Sequence, residues 1–267
     1  MTDHMRQGLL FDGDDTLWDN QVFYDDVKLR FYEILHRQGG LAEYFESAQI
    51  AAEDAVRFIN DVDIRRLDRE GFSSERFSQS LVQAYDTLAT TAGVPPDPRV
   101  SRRLARLGNS VPRRRRSPLP GARETLEALS GDGKYVLVLY STGDETIQLR
   151  KLKETGLEEF FDGRVHVVPR KDDDTLRAVI RAENLDIPSS WMIGNSLRSE
   201  INPALRLGLN CILFHNGGWA YDQSEEREPG RLYEITSLPY AVEIIERAQS
   251  RGAKGKAAMP GPCVPNS

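Results

Sequence analysis

A chain of 267 residues with 39% hydrophobic content is long enough for one large domain or a core with a smaller partner. Its formal charge of −6 argues against a surface given over to nucleic acid, and two cysteines are too few for a disulfide framework. The first residues lack a basic-then-apolar signal pattern and no apolar run approaches the ~20 residues that span a bilayer, so the expectation is a cytoplasmic protein with no membrane partner.

The first element is the apolar run Leu9-Leu10-Phe11, which stops abruptly at Asp12-Gly13-Asp14-Asp15-Thr16-Leu17-Trp18. Such a run predicts a buried strand over 8–12 whose carboxyl end opens on solvent, where open α/β sheets bind their ligands. Carboxylates at i and i+2 can face one small site and attract a hard cation, although the same pair is also an ordinary acidic turn or helix cap. A calcium loop is excluded: Leu17 stands where the sharp-turn glycine is required and Phe23 where the bidentate glutamate belongs.

The stretch 18–117 carries no further strand-like run and is too long for a loop, so it must fold by itself. Phe23, Val27, Phe31 and Leu35 predict an amphipathic helix that lasts until Gly39-Gly40. Ile50, Ala51, Ala55 and Ile59 predict a weaker one over 47–60 with Ser47 as its cap, and Phe77, Leu81, Tyr85 and Leu88 another ending at Gly93. Asp97-Pro98 opens a fourth, through Val100, Leu104 and Leu107, that stops at Gly108. After Pro118, helices over 124–129, 145–154, 175–182, 201–207 and 237–245 alternate with strands over 135–140, 164–168, 191–193 and 211–214, the pattern of a parallel sheet. Residues 251–267, with little apolar surface, are expected to form a disordered tail.

Polar residues stand at three later strand ends. Ser141-Thr142-Gly143-Asp144 opens a helix, where hydroxyls and free N–H groups suit an anion but are also ordinary caps. Lys171 precedes Asp172 to Asp174, and Gly194-Asn195-Ser196 with Glu200 follows Trp191-Met192-Ile193. Taken in order, D-x-D-x-T-L-W, strand and serine, lysine before a helix, and G-N-S-x-x-x-E resemble the four motifs of the haloacid dehalogenase-like (HAD) hydrolase superfamily. Thr142-Gly143-Asp144, Gln148, Lys151-Leu152 and Thr155-Gly156-Leu157 are similar to the helix after the second motif in many HAD phosphatases. Ile201-Asn202-Pro203-Ala204 with Gly208-Leu209 looks like the helix after the fourth.

The resemblance implies an α/β fold, a Rossmann-like parallel sheet with helices on both faces, built from residues 1–17 and 118–250. A helical cap of C1 type is implied over 18–117. It further implies magnesium-dependent hydrolysis of a small phosphorylated substrate, with Asp12 as nucleophile and Asp14 as acid and base. Ser141, Thr142 and Lys171 would hold the phosphoryl group, and Asp12, the Asp14 main-chain carbonyl, Asn195 and Glu200 the metal.

There are departures from the pattern. Asn195 and Glu200 stand where aspartate is frequent, which removes one formal charge that Asp172 to Asp174 could replace; Asp15 takes the place of a common glycine and is expected to face outward. A phosphomutase would use the same intermediate. A haloacid dehalogenase would need neither metal nor a second aspartate, so Asp14 and Glu200 favour phosphate ester hydrolysis. Asn195 also raises a non-enzymatic alternative, a binding or regulatory module. Arg99, Arg102, Arg103, Arg106 and Arg113 to Arg116 form either a solvated face or a clamp for a second phosphate or carboxylate on the substrate.

Overall fold

The computed structural model describes residues 5–131, 133–217 and 227–252. Strand β1 (Gly8–Phe11) has no exposed side chain and ends at Asp12. The insert after it holds, among the described residues, the helices α1 (Gln21–Leu35), α2 (Gly39–Ser47), α3 (Ala52–Glu70), α4 (Arg76–Thr91) and α5 (Pro98–Gly108). They share an apolar cluster of their own, in which Val27, Phe31 and Leu35 of α1 meet Ile59, Phe77, Leu81, Tyr85 and Leu104. Each such large side chain contributes roughly 1.5–3 kcal/mol on burial.

Two helix boundaries differ from expectation. Ser47 is the last residue of α2 and caps nothing; α3 starts at Ala52, where the Asp54 side chain accepts the Ala51 N–H at 3.0 Å, and it continues to Glu70. Gly39-Gly40 open α2 and do not end α1, because Leu41 and Phe45, four residues apart, give this short segment a face to bury. The start of α5 follows the Asp97-Pro98 signal, with the Asp97 carboxylate accepting the Arg99 N–H at 2.8 Å. Gly108 is there for packing: a Cβ would come within 2.5 Å of Ser78 Cα on α4.

The run Val136-Leu137-Val138-Leu139-Tyr140 has no charged side chain, as befits a strand covered on both faces. It forms β2 (Val136–Thr142), preceded by α6 (Ala122–Ser130) and followed by α7 (Glu145–Thr155). Then come β3 (Val165–Val168), α8 (Asp173–Ala182), β4 (Trp191–Gly194), a π-helical turn at Leu197–Ile201, α9 (Asn202–Leu207), β5 (Asn210–Phe214), β6 (Leu232–Ile235) and α10 (Pro239–Gly252). All six strands pair in parallel in the order β3-β2-β1-β4-β5-β6. Strand β6 escaped the sequence reading because Leu232-Tyr233-Glu234-Ile235 is a short, partly exposed edge.

Alternate residues pack on opposite faces: Leu9, Phe11, Leu137 and Leu139 against α6, α7 and α10, and Leu10, Val138, Tyr140 and Met192 against α8 and α9. The chain reverses direction after β3 and adds β4 on the other side of β1. That reversal makes the carboxyl ends of β1, β2 and β4 a single crevice. Arg251 and Gly252, expected in the tail, belong to α10, and 253–267 lie outside the described residues. Among the described residues no helix is long and apolar enough to cross a membrane.

Because the obstacle facing Gly108 is main chain, Gly108→Ala should force α4 and α5 apart and cost about 1–3 kcal/mol, read as a lower urea midpoint at unchanged slope.

Candidate active site

At the end of β1 the backbone turns sharply over Gly13, whose carbonyl accepts the N–H groups of Thr16, Leu17 and Trp18. Gly13 is needed because the Trp18 ring lies on it; a Cβ would come within 2.3 Å of that ring. The turn leaves Asp12 and Asp14 facing a cavity of about 180 Å³, walled on the other side by helices α1, α3 and α4.

Lys171, on the connection from β3 to α8, is buried with its ammonium bonded to Asp12 Oδ1 and, at 3.0 Å, to Glu200 Oε1. Burial works against the charge on Lys171, but the two carboxylates outweigh it and raise its proton affinity above the ordinary range. The other Asp12 oxygen, Oδ2, is buried with no hydrogen-bond partner. Glu200 is held by the π-helical turn, where its Oε2 accepts the Ser196 N–H at 2.8 Å. Gly194 clears the space beneath it, since a Cβ there would lie 2.8 Å from Glu200 Oε2. Asn195 turns its amide oxygen to the Thr16 hydroxyl at 3.4 Å, and Ser141 and Thr142 line the cavity from the end of β2.

Asp14 carries the densest set of partners. Its carboxylate accepts from Lys151 at 2.7 and 2.8 Å, from Gln148 at 2.9 Å and from the Trp18 indole at 2.6 Å. Burial opposes its charge, but Lys151, Gln148 and Trp18 prevail and hold the Asp14 carboxyl below its usual range. Lys151 also bonds Asn20 Oδ1 at 3.1 Å, and Arg116 reaches the same oxygen at 2.9 Å. Gln148 and Lys151 were part of the family resemblance, yet nothing in the sequence gave them a task. Their spacing of three on the buried face of α7 was the available signal, since a lysine there must find a partner.

Three expectations are corrected. Asp15 does not face outward: it adopts φ +62°, the left-handed region that suits glycine, and its carboxylate accepts the Asn20 and Gln21 N–H groups at 2.9 and 2.8 Å, closing the start of α1. Burial pushes the Asp15 carboxyl up to about 7, with the charges of Asp14 and Asp12 adding to the rise. Asp172 to Asp174 do not line the cavity: Asp172 caps α8 by accepting the Thr175 N–H at 2.9 Å, and Asp173 pairs with Arg206 at 2.7 Å. The arginine cluster is not one surface either. Arg116 is buried beside the cavity, Arg114 pairs with Asp26 at 2.7 Å, and the remainder are exposed.

A family model described as haloacid dehalogenase-like hydrolase matches residues 7–208. A glyceraldehyde 3-phosphate phosphatase of Pyrococcus furiosus is 26% identical over 252 residues, covering 90% of this chain and 92% of its own. The phosphatase of the same description from Methanocaldococcus jannaschii is 23% identical, with 91% and 98% covered. A solved haloacid dehalogenase-like family hydrolase from Xanthomonas campestris superposes with a TM-score of 0.69 at 27% identity, over 96% of this chain and 97% of that one. The HAD hydrolase YfnB from Bacillus subtilis, solved with magnesium bound, superposes at 0.58 with 18% identity, over 91% and 99%. With the family model matching residues 7–208 of 267, this chain belongs to the haloacid dehalogenase-like hydrolases.

Proposed function

We propose that the chain hydrolyses a phosphate monoester of a small molecule by way of a phosphorylated Asp12. The observation that carries the reading is the position of Lys171 between Asp12 and Glu200 at the mouth of the sheet. A carboxylate approaches a phosphoryl group against strong repulsion, and a fixed cation beside both removes that obstacle. The two relatives described as phosphatases, similar over nearly their whole length, support the same reaction type.

In this reading an Asp12 oxygen attacks phosphorus, the ester P–O bond breaks, and the departing oxygen takes a proton from Asp14. Water then attacks the phosphorylated Asp12, yields a proton to Asp14, and inorganic phosphate leaves as the bond to Asp12 breaks. Asp14, held by Lys151, Gln148 and Trp18, is in the ionised form that accepts the proton of water. Donation in the first step uses a proton that Asp14 has first taken up from water, the Lys151 contact loosening as it does so. Ser141 and Thr142 stand where they would hold phosphoryl oxygens, with Lys171 on the other side.

The oxygens suited to magnesium are those of Asp12, the Asp14 main chain, Asn195 and Glu200, a hard donor set of the kind this ion accepts. The unpartnered Asp12 Oδ2 fits that assignment, while Glu200 already engages Lys171 and the Ser196 N–H. Asn195, where aspartate is frequent, leaves this set one formal charge fewer, so affinity should be modest. When bound, the ion would offset charge on the nucleophile and the phosphoryl oxygens.

The division into a core of 1–17 and 118–250 and a cap of 18–117 is part of the proposal. It is supported by the two crossings lying side by side, where the Asp19 N–H meets the Ser117 carbonyl at 3.1 Å and the Ser117 N–H meets Asp19 Oδ1 at 2.7 Å.

Asp12→Asn should lower phosphate release from 4-nitrophenyl phosphate and from glyceraldehyde 3-phosphate by roughly a thousandfold or more. Retained turnover in that variant would refute the covalent route. Chelation should stop the wild-type reaction and millimolar magnesium should restore it; indifference to chelator would remove the metal from the proposal. Lys171→Met leaves Asp12 and Glu200 buried without their shared cation, so about 3–5 kcal/mol of stability should go with activity, measured by urea unfolding alongside turnover.

A further inference from the structure

We infer that the esters hydrolysed here carry a carboxylate on the leaving group and that Lys28 of α1 binds it. The inference rests on the phosphatase reading and names its substrate class. The cavity has a sheet end and a helical end, and their charges balance differently. At the sheet end every lysine is matched by a carboxylate that lines the cavity: Lys171 by Asp12 and Glu200, Lys151 by Asp14. At the helical end Arg76 is matched by Asp63, whose Oδ1 also accepts from the Ser80 hydroxyl at 2.7 Å.

Lys28 has no such match. It lines the cavity one turn beyond Tyr24, and its side chain is 4% exposed. Its hydrogen bond goes to Asp25 at 3.1 Å, a side chain 53% exposed that does not border the cavity. An ammonium has three donors, so two are left for whatever enters. A buried cation whose partner is shared with water carries a standing desolvation cost that an incoming anion offsets.

Arg116 adds a second positive charge to the same enclosure. Its guanidinium lies 4.3 Å over the Phe23 ring and donates to Asn20 and to the carbonyls of Val111 and Arg114. Its Nε is buried without a partner, and no carboxylate lies within ion-pair distance among the described residues. Lys171 with Ser141 and Thr142 suffices for the transferring phosphoryl, which leaves Lys28 and Arg116 for the rest of the molecule. The enclosure of about 180 Å³ is suited to a small leaving group. The two free donors of the Lys28 ammonium match the two oxygens of a carboxylate. The fitting class is therefore the phosphate ester of a short hydroxycarboxylic acid.

The test compares kcat/KM for 3-phosphoglycerate and glycerol 3-phosphate, which differ in a terminal carboxylate against an alcohol. The wild type should favour the acid by about tenfold or more. Lys28→Met should bring that ratio near one, chiefly through KM of the acid, and Lys28→Arg should restore it. Because the ratio is taken within each variant, a general loss of folded enzyme lowers both arms and leaves it unchanged. Equal kcat/KM in the wild type, or a preference that survives Lys28→Met, overturns the inference and leaves the phosphatase reading standing. Phosphate release from no ester at all overturns both. A further pair, fructose 1,6-bisphosphate against fructose 6-phosphate, separates the two anions: a preference for the bisphosphate with none for the acid also overturns the carboxylate.

Discussion

The interaction on which the site depends is a single ammonium buried between two carboxylates. Lys171, Asp12 and Glu200 come from three different strand connections, and none of the three is stable at that depth without the others. The sheet order meets this requirement by setting β1 between β2 and β4, so that residues far apart in sequence emerge side by side. Small features then refine the geometry: Gly194 makes room for Glu200, and the π-helical turn brings its side chain back toward the sheet.

A second layer of contacts links the Asp14 carboxylate to the helical half of the molecule. Asp14 is bound to Lys151, Lys151 to Asn20, and Asn20 to Arg116, which stacks on Phe23 at the start of α1. Asn20 and Arg116 sit on the two crossings between the sheet and the helices. The state of Asp14 is thus tied to how those crossings are seated, a coupling carried by packed and hydrogen-bonded neighbours. Arg116 also shows how one run of like residues divides on folding. Its exposed neighbours meet water, and it alone is drawn into the enclosure.

Much of the fold was legible in the sequence because its signals are local. An apolar run that ends in Asp12-Gly13-Asp14 is a strand with a polar mouth whatever surrounds it, and Asp97-Pro98 starts a helix by backbone chemistry alone. The strand-end positions of Asp12, Ser141, Lys171 and Asn195 could be read in the same way. Features that failed were those whose meaning lies in a distant partner. Gly108 reads as a stop signal until Ser78 is seen against it, Asp15 as an idle acid until it meets the first N–H groups of α1, and Ser47 as a cap until Leu41 and Phe45 claim its segment for α2.

The sequence by itself determined the alternation of strands and helices, the helical insertion after the first strand, and the residue types standing at the strand ends. Only the tertiary structure decided which charges neutralise one another: Lys151 with Asp14, Asp63 with Arg76, Asp173 with Arg206, and Lys28 with only an exposed partner. The physical reason is range. Propensity and periodicity act over a few neighbouring residues, whereas the energy of a buried charge is set by whichever groups the fold brings within hydrogen-bond distance and by how much water it leaves between them.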